Sequence, residues 1–287
     1  MKPFLRRLFE IEPGEGRAVG LSLLMAVFLG LPRLFTLAVG AALFLERFSA
    51  DNVPWVYIAA SALLPAVGLL HLWAGRRVSF PRLQLGTLLS LAVVPAAFLV
   101  LLRATDASWP AFALFVWCGV ELHLSNIVLW STASRLFTVR QGKRLYGLVG
   151  AGEIVAAIAG GAAIPALTRL LGTTGVLAVS VVGFLLTFLA FAVTARAFPG
   201  RLAHRPERGT PSAAGGRELL AGLGDRFLLL IFMTYALVLS AGFVVNSVFY
   251  FQVRDAFPSS AEVAIFMGRF TAVASVLGLV FRSLLSG

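Results

Sequence analysis

Residues 145–195 read LYGLVGAGEIVAAIAGGAAIPALTRLLGTTGVLAVSVVGFLLTFLAFAVTA. They divide into two apolar stretches, 145–168 and 174–195, with the short interruption RLLGT between them. Each matches the roughly 20 residues that a helix needs to cross the hydrocarbon of a bilayer. Lipid offers an exposed backbone no hydrogen-bond partner, so each stretch must be helical. Working outward, six further stretches of the same kind occupy residues 18–46, 54–75, 83–102, 109–135, 227–251 and 261–286. The expectation is an all-α polytopic membrane protein with about eight transmembrane helices.

Composition agrees. The 287 residues are 59% hydrophobic and 13% charged, and their mean hydropathy is +0.91, which leaves no room for a water-soluble catalytic domain. A net charge of +11 could suggest nucleic acid, but the basic residues alternate with the apolar stretches instead of forming one patch. They are topology signals, and nucleic acid is not an expected partner. The single cysteine, Cys118, lies inside the fourth stretch, so neither an intrachain disulfide nor a cysteine metal site is expected. His71, His123 and His204 are scattered, and no HExxH or phosphate-loop spacing occurs, so neither an enzyme nor a resident cofactor is expected.

The cations also orient the chain. One set of polar intervals carries Lys2, Arg6, Arg7 and Arg17, then Arg76, Arg77 and Arg82, then Arg135, Arg140, Lys143 and Arg144, then Arg196, Arg201, Arg205, Arg208, Arg217 and Arg226. The alternate set carries only Arg47, Arg103, Arg169 and Arg254. This asymmetry places the N-terminus in the cytoplasm, with odd-numbered helices running outward. The expected location is a bacterial inner membrane. A basic start leads into acidic, glycine-containing IEPGEGR instead of a cleavage site, so the first helix is expected to be retained. Residues 1–17 read as a cytoplasmic interfacial leader, with Phe4, Leu5, Leu8, Phe9 and Ile11 able to share one face.

The interval 197–225, rich in proline, glycine, serine and arginine, reads as a cytoplasmic loop between a six-helix bundle at 18–196 and two further helices at 226–287. Across it lies an internal repeat. ALFLERFSADNVPWVYIAASALLPAVGLL, from Ala42, is similar to SVFYFQVRDAFPSSAEVAIFMGRFTAVASVLGLV, from Ser247. In both, a helix with an aromatic end meets a short polar turn containing proline, and an alanine- and glycine-rich helix follows. Parallel repeats of six helices are the plan of the major facilitator transporters, with substrate held between the bundles near mid-membrane.

Three segments carry a family resemblance: LPRLFTLAVGAALFLERFSADNVPWVYI from Leu31, SRLFTVRQGKRLYGLVGAGEIVAAIAGG from Ser134, and VFYFQVRDAFPSSAEVAIFMGRFTAVASVLGLVFRSLL from Val248. They resemble the bacterial ATP/ADP translocase, or nucleotide transporter, branch of the major facilitator superfamily, most specifically in KRLYGLVGAG. The resemblance implies a carrier of twelve helices that exchanges nucleotides or related phosphorylated anions. The chain departs from that pattern in its eight stretches, and in Asn246 and Tyr250 where close relatives would carry an acidic and a basic residue.

Ionisable groups at membrane depth need a partner or a cavity, since one costs roughly 2.5–3.5 kcal/mol at a helix centre. Arg33 lies about 24 Å along the helix axis from Arg17. It follows Pro32, which removes a backbone donor and can open the helix beside a guanidinium able to fork onto a phosphate or carboxylate. Glu121, Ser125 and Thr132 share one face of the fourth helix, while His123, Asn126 and Trp130 fall nearly opposite. One face can line a cavity and the other can bond a neighbouring helix. Glu121 is the candidate for coupling, since a carboxyl group held away from water can exchange a proton during transport.

Glu153 sits within GLVGAGEIVAAIAGG, whose glycines and alanines suit close helix packing. It is expected to bind a cation or to neutralise Arg33 or Arg269. The GAG inside this run is not a dinucleotide fingerprint, because Val155 stands where the third glycine belongs and no strand precedes it. Arg269 in the last stretch either joins Arg33 in presenting positive charge to a central cavity or snorkels to the interface.

The candidate substrate-binding residues are therefore Arg33, Glu121, Asn126, Glu153, Asn246 and Arg269. The leading functional expectation is a secondary transporter of an organic anion, a nucleotide above all, working by alternating access. Two alternatives stand beside it: a non-transporting anchor or assembly subunit derived from a carrier, and a transporter of lipid or another amphiphile. Membrane lipid is an expected partner, and more chain, a partner subunit or a second copy would complete the second bundle.

Overall fold

The computed structural model describes residues 11–203 and 226–285, and these are helical throughout, with no strand among them. The helices are α1 (Gly16–Arg47), α2 (Val53–Arg77), α3 (Phe80–Ala104), α4 (Trp109–Leu136), α5 (Val139–Ala197), the short α6 (Pro199–Ala203), α7 (Arg226–Ala256) and α8 (Ser260–Leu285), with a 3-10 turn at Ala50–Asn52. Seven of them are long and apolar enough to cross a membrane, the architecture of a multi-pass membrane protein. The interfacial helix expected in the leader, and most of the 197–225 loop, fall outside the described residues.

Local chemistry explains the helix ends. Proline occupies the first turn of α2, α3 and α4, where a missing N–H costs nothing. Arginine closes α1, α2, α3, α4, α5 and α7, facing the negative end of each helix dipole. Thr138 and Gln141 form a reciprocal capping box at the start of α5: the Gln141 N–H donates to the Thr138 hydroxyl at 3.4 Å, and the Thr138 N–H donates to Gln141 Oε1 at 3.0 Å.

α5 is 59 residues long. A straight helix of that length would extend about 88 Å, nearly three times the hydrocarbon thickness. Gly172 breaks it, with φ 72° and ψ 169°, a conformation open almost only to glycine. Among the described residues no neighbour lies within 4 Å of where a Cβ would sit there, so backbone conformation and not space demands the glycine. The arms 139–171 and 173–197 then pack on α1 in opposite senses. Along the first arm the registers rise together: a Cβ on Gly152 would come 2.8 Å from Ala26, and one on Gly30 would come 2.6 Å from Ala156. Along the second they run against each other: Thr36 donates to Ser180 at 3.1 Å, Pro32 packs on Gly183, and Thr187 donates to the Phe28 carbonyl at 2.6 Å. The chain thus reverses at the glycine inside RLLGT.

α1 is the centre of the assembly. Besides both arms of α5 it packs against α4, where Cys118 Sγ lies 3.6 Å from the Thr36 carbonyl and a Cβ on Gly40 would meet that sulfur at 2.9 Å. Close approach of this kind requires small residues in place of bulky side chains. α8 reaches the bundle the same way, with Gly268 and Gly161 in mutual backbone contact. α7 is attached mainly through rings: Phe115 of α4 meets Tyr250 edge-on at 5.4 Å, and Tyr57 of α2 stacks on Phe243 at 4.7 Å.

At the end of the bundle where α1 and α5 begin, Arg144 donates to Glu12 at 2.6 Å and to Glu15 at 2.7 Å, and Gln141 donates to Glu15 at 2.8 Å. The network ties the chain entering α1 to the start of α5. Arg135 lies over the Phe80 ring at 3.9 Å, and Arg201 of α6 donates to the Leu136 carbonyl at 2.9 Å, closing the end of α4. The arginines counted as topology signals therefore also fasten helix ends. Residues 199–203 are helical with Leu202 buried, so the interval expected to be loop begins with a docked turn.

Candidate functional site

Pro32 has no N–H to offer the Phe28 carbonyl one turn earlier. The orphaned carbonyl is taken by the Thr187 hydroxyl, and Thr36 donates in turn to the Pro32 carbonyl at 3.0 Å. The expected opening of the helix beside Arg33 is therefore closed by the second arm of α5, because a freed carbonyl in a dry interior has to find a donor. What Pro32 leaves is a rigid platform for the next residue. Arg33 Nη1 donates to Glu153 Oε1 at 3.0 Å, joining α1 to the first arm of α5, and both side chains are about a quarter exposed.

This ion pair stands between two cavities. The first, of about 320 Å³, is lined by Arg33 together with parts of α2, α4 and α7: Tyr57, Ser61, Phe115, His123, Phe243, Asn246 and Tyr250, with aliphatic residues between them. The second, of about 530 Å³, is lined by Glu153 with Trp130, Tyr146, Gly147, Gly150, Ser275 and Gly278 of α4, α5 and α8. α4 supplies residues 115–123 to the first and Trp130 to the second. Seven residues of helix, or about 10 Å, separate His123 from Trp130, so the cavities lie one above the other along the bundle. The first faces the helix ends at residues 47–53, 104–109 and 256–260, and the second faces the opposite ends.

The sequence-derived residues separate accordingly. Arg33 and Asn246 line the first cavity, and Glu153 lines the second. Asn246 donates to the Gly242 carbonyl of its own helix at 2.8 Å. Glu121 lines neither cavity. It is fully buried on the α1-facing side of α4 beside Thr36, Trp117 and Arg33, and neither carboxylate oxygen reaches hydrogen-bond geometry with a partner among the described residues. Ser125 and Thr132 are buried on the same face with no hydrogen-bond partner among the described residues, so of the two faces this one packs against a helix, while His123 from the opposite face lines the first cavity. Asn126 is half-buried and lines neither cavity.

Arg269 is not brought to Arg33. Its neighbour Gly268 takes the side of α8 that packs on α5, and one residue along a helix is a rotation of about 100°, so the guanidinium is carried away from both cavities and is exposed. The aromatic lining, Tyr57, Phe115, Phe243 and Tyr250, escaped the sequence reading as site residues because rings are ordinary membrane-core material. A usable signal existed: all four lie in the parts of α2, α4 and α7 nearest one set of helix ends. Comparison with protein-family models, curated proteins and solved structures returns no match for this chain.

Proposed function

We propose that this protein is a secondary carrier for an organic anion, working by alternating access across the Arg33–Glu153 pair. The observation that carries the reading is the placement of one ion pair between two stacked cavities, its cation lining one and its anion the other. An anion entering the first cavity competes with Glu153 for the guanidinium. Once Arg33 turns to the solute, the carboxylate is released, the contact between α1 and α5 loosens, and the partition can open toward the second cavity. Such an exchange of partners keeps the cation paired at every stage and leaves the carboxylate to the second cavity, which it lines; a charge left lone and partly buried would cost several kcal/mol.

In this reading the two arms of α5 cross the membrane separately, making eight crossings with the N-terminus in the cytoplasm, and the bundle follows the major facilitator plan. The substrate is an organic anion, with nucleotides the first class to test given the resemblance. Liposomes containing the protein should take up labelled ADP or another phosphorylated or carboxylated anion against the same solute inside. Absence of exchange across the panel removes the proposal.

A second reading, a non-transporting assembly subunit, is favoured by one observation. No residue in the most apolar window of α7 is buried, so one face of the bundle is free to receive another helix. Cross-linking from α7 in native membranes that captures one stoichiometric partner, together with no anion exchange, would favour it.

A further inference from the structure

The first cavity also restricts which anion it can hold. We propose that it binds a small monoanion with a flat apolar body, an aromatic carboxylate, in preference to a polyphosphate. The inference deepens the organic-anion reading of the same site and rests on that reading wherever flux is concerned.

Three observations converge. The first is charge. Arg33 is the single arginine among the lining residues, with no lysine beside it, and it already shares its charge with Glu153. One carboxylate can be matched there. Each further negative charge would find no second guanidinium or ammonium among the lining residues and would meet a desolvation cost larger than any single hydrogen bond returns. The second is donor geometry. Among the described residues Arg33 donates one hydrogen bond, through Nη1, so the rest of its fork remains for a second carboxylate. A guanidinium offers five N–H groups in a plane suited to two parallel bonds.

The third is shape. The lining includes the rings of Tyr57 and Phe243, stacked at 4.7 Å, and of Phe115 and Tyr250, edge-to-face at 5.4 Å, so a flat apolar body finds faces and edges to pack on. The volume of about 320 Å³ is roughly eleven times the 30 Å³ that a water molecule takes in the liquid. That space suits a ring bearing a short carboxylate arm. A nucleotide, with its chain of phosphoryl groups, exceeds the available positive charge.

The test is calorimetric titration of the full chain in nanodiscs, with phenylacetate as probe and phenylacetamide, inorganic phosphate, ADP and hexadecanoate as comparators. Phenylacetate should bind with one-to-one stoichiometry. Phenylacetamide, lacking the charge, should bind about tenfold more weakly, as should phenylacetate to Phe243→Ala. Glu153→Gln should tighten phenylacetate about tenfold by freeing the guanidinium. Arg33→Gln leaves Glu153 without its cation and risks misfolding, so the charge-balanced variant Arg33→Gln/Glu153→Gln is its companion and should also lose the probe.

No phenylacetate binding, equal binding of the amide, or displacement of phenylacetate by ADP or phosphate at lower concentration would overturn the proposal. Tighter binding of hexadecanoate would overturn it too, by assigning the site to membrane amphiphiles. The two readings fail separately. Phenylacetate bound without exchange into liposomes keeps the ligand class and removes the carrier, whereas ADP exchange without phenylacetate binding does the reverse.

Discussion

α1 and α7 have similar lengths, 32 and 31 residues, and α7 is the more apolar. More than half of the most apolar stretch of α1 is buried, and none of that of α7. Apolar content therefore does not choose the central helix. Water drives both into the membrane, but lipid tails are as apolar as leucine, so inside the membrane close packing and polar contacts decide which helices meet. α1 places Gly30 and Gly40 against Ala156 and Cys118, and receives Gly152 and Gly183 from α5. A Cβ on Gly242 of α7 would meet no other helix within 4 Å among the described residues.

The contrast can be broken at α1 and sharpened at α7. Glu153→Gln strands Arg33 and should cost about 3 kcal/mol, recovered in large part by Arg33→Gln/Glu153→Gln, as a double-mutant cycle with Arg33→Gln on thermal unfolding in detergent would read. Gly152→Val forces a side chain against Ala26 Cβ and the Leu23 carbonyl, 2.8 and 3.1 Å from the position of its Cβ, and should cost about 2 kcal/mol by the same assay. Thr187→Val returns the Phe28 carbonyl to its orphaned state and should cost about 1.5 kcal/mol, with Thr187→Ser close to wild type. Leu237→Ala on α7, where the side chain is 71% exposed, should shift stability by less than about 0.5 kcal/mol. A loss several times larger at Leu237 would mean that another helix covers this face.

Much of the fold was legible. The two stretches of residues 145–195 and the interruption between them match the two arms and the reversal at Gly172, because the period of hydrophobicity and the glycine are both local. The start of α5 was placed six residues late, since its first turns carry Arg140, Lys143 and Arg144 and are held by a capping box instead of by hydropathy. Gly147, Gly150, Gly152, Gly160 and Gly161 all suit close packing by sequence; Gly152, Gly160 and Gly161 do meet neighbouring helices, whereas Gly147 and Gly150 line the second cavity. Of the site, the pairing of Glu153 with Arg33 was among the options the residues left open. The placement of Glu121 against α1, and of Arg269 away from both cavities, was not legible. Helical periodicity gives the angle between residues of one helix, but not which helix stands opposite that angle.

That division follows from where each kind of information resides. Span length, the breaks between spans, the side on which cations gather and the need to satisfy every ionisable group all follow from the transfer of a chain from water to lipid, and each can be read residue by residue. Which carboxylate takes Arg33, and whether a polar residue faces a cavity or a helix, depends on how several helices pack at once. Those contacts are set by small residues far apart in the chain, so only the assembled bundle assigns them.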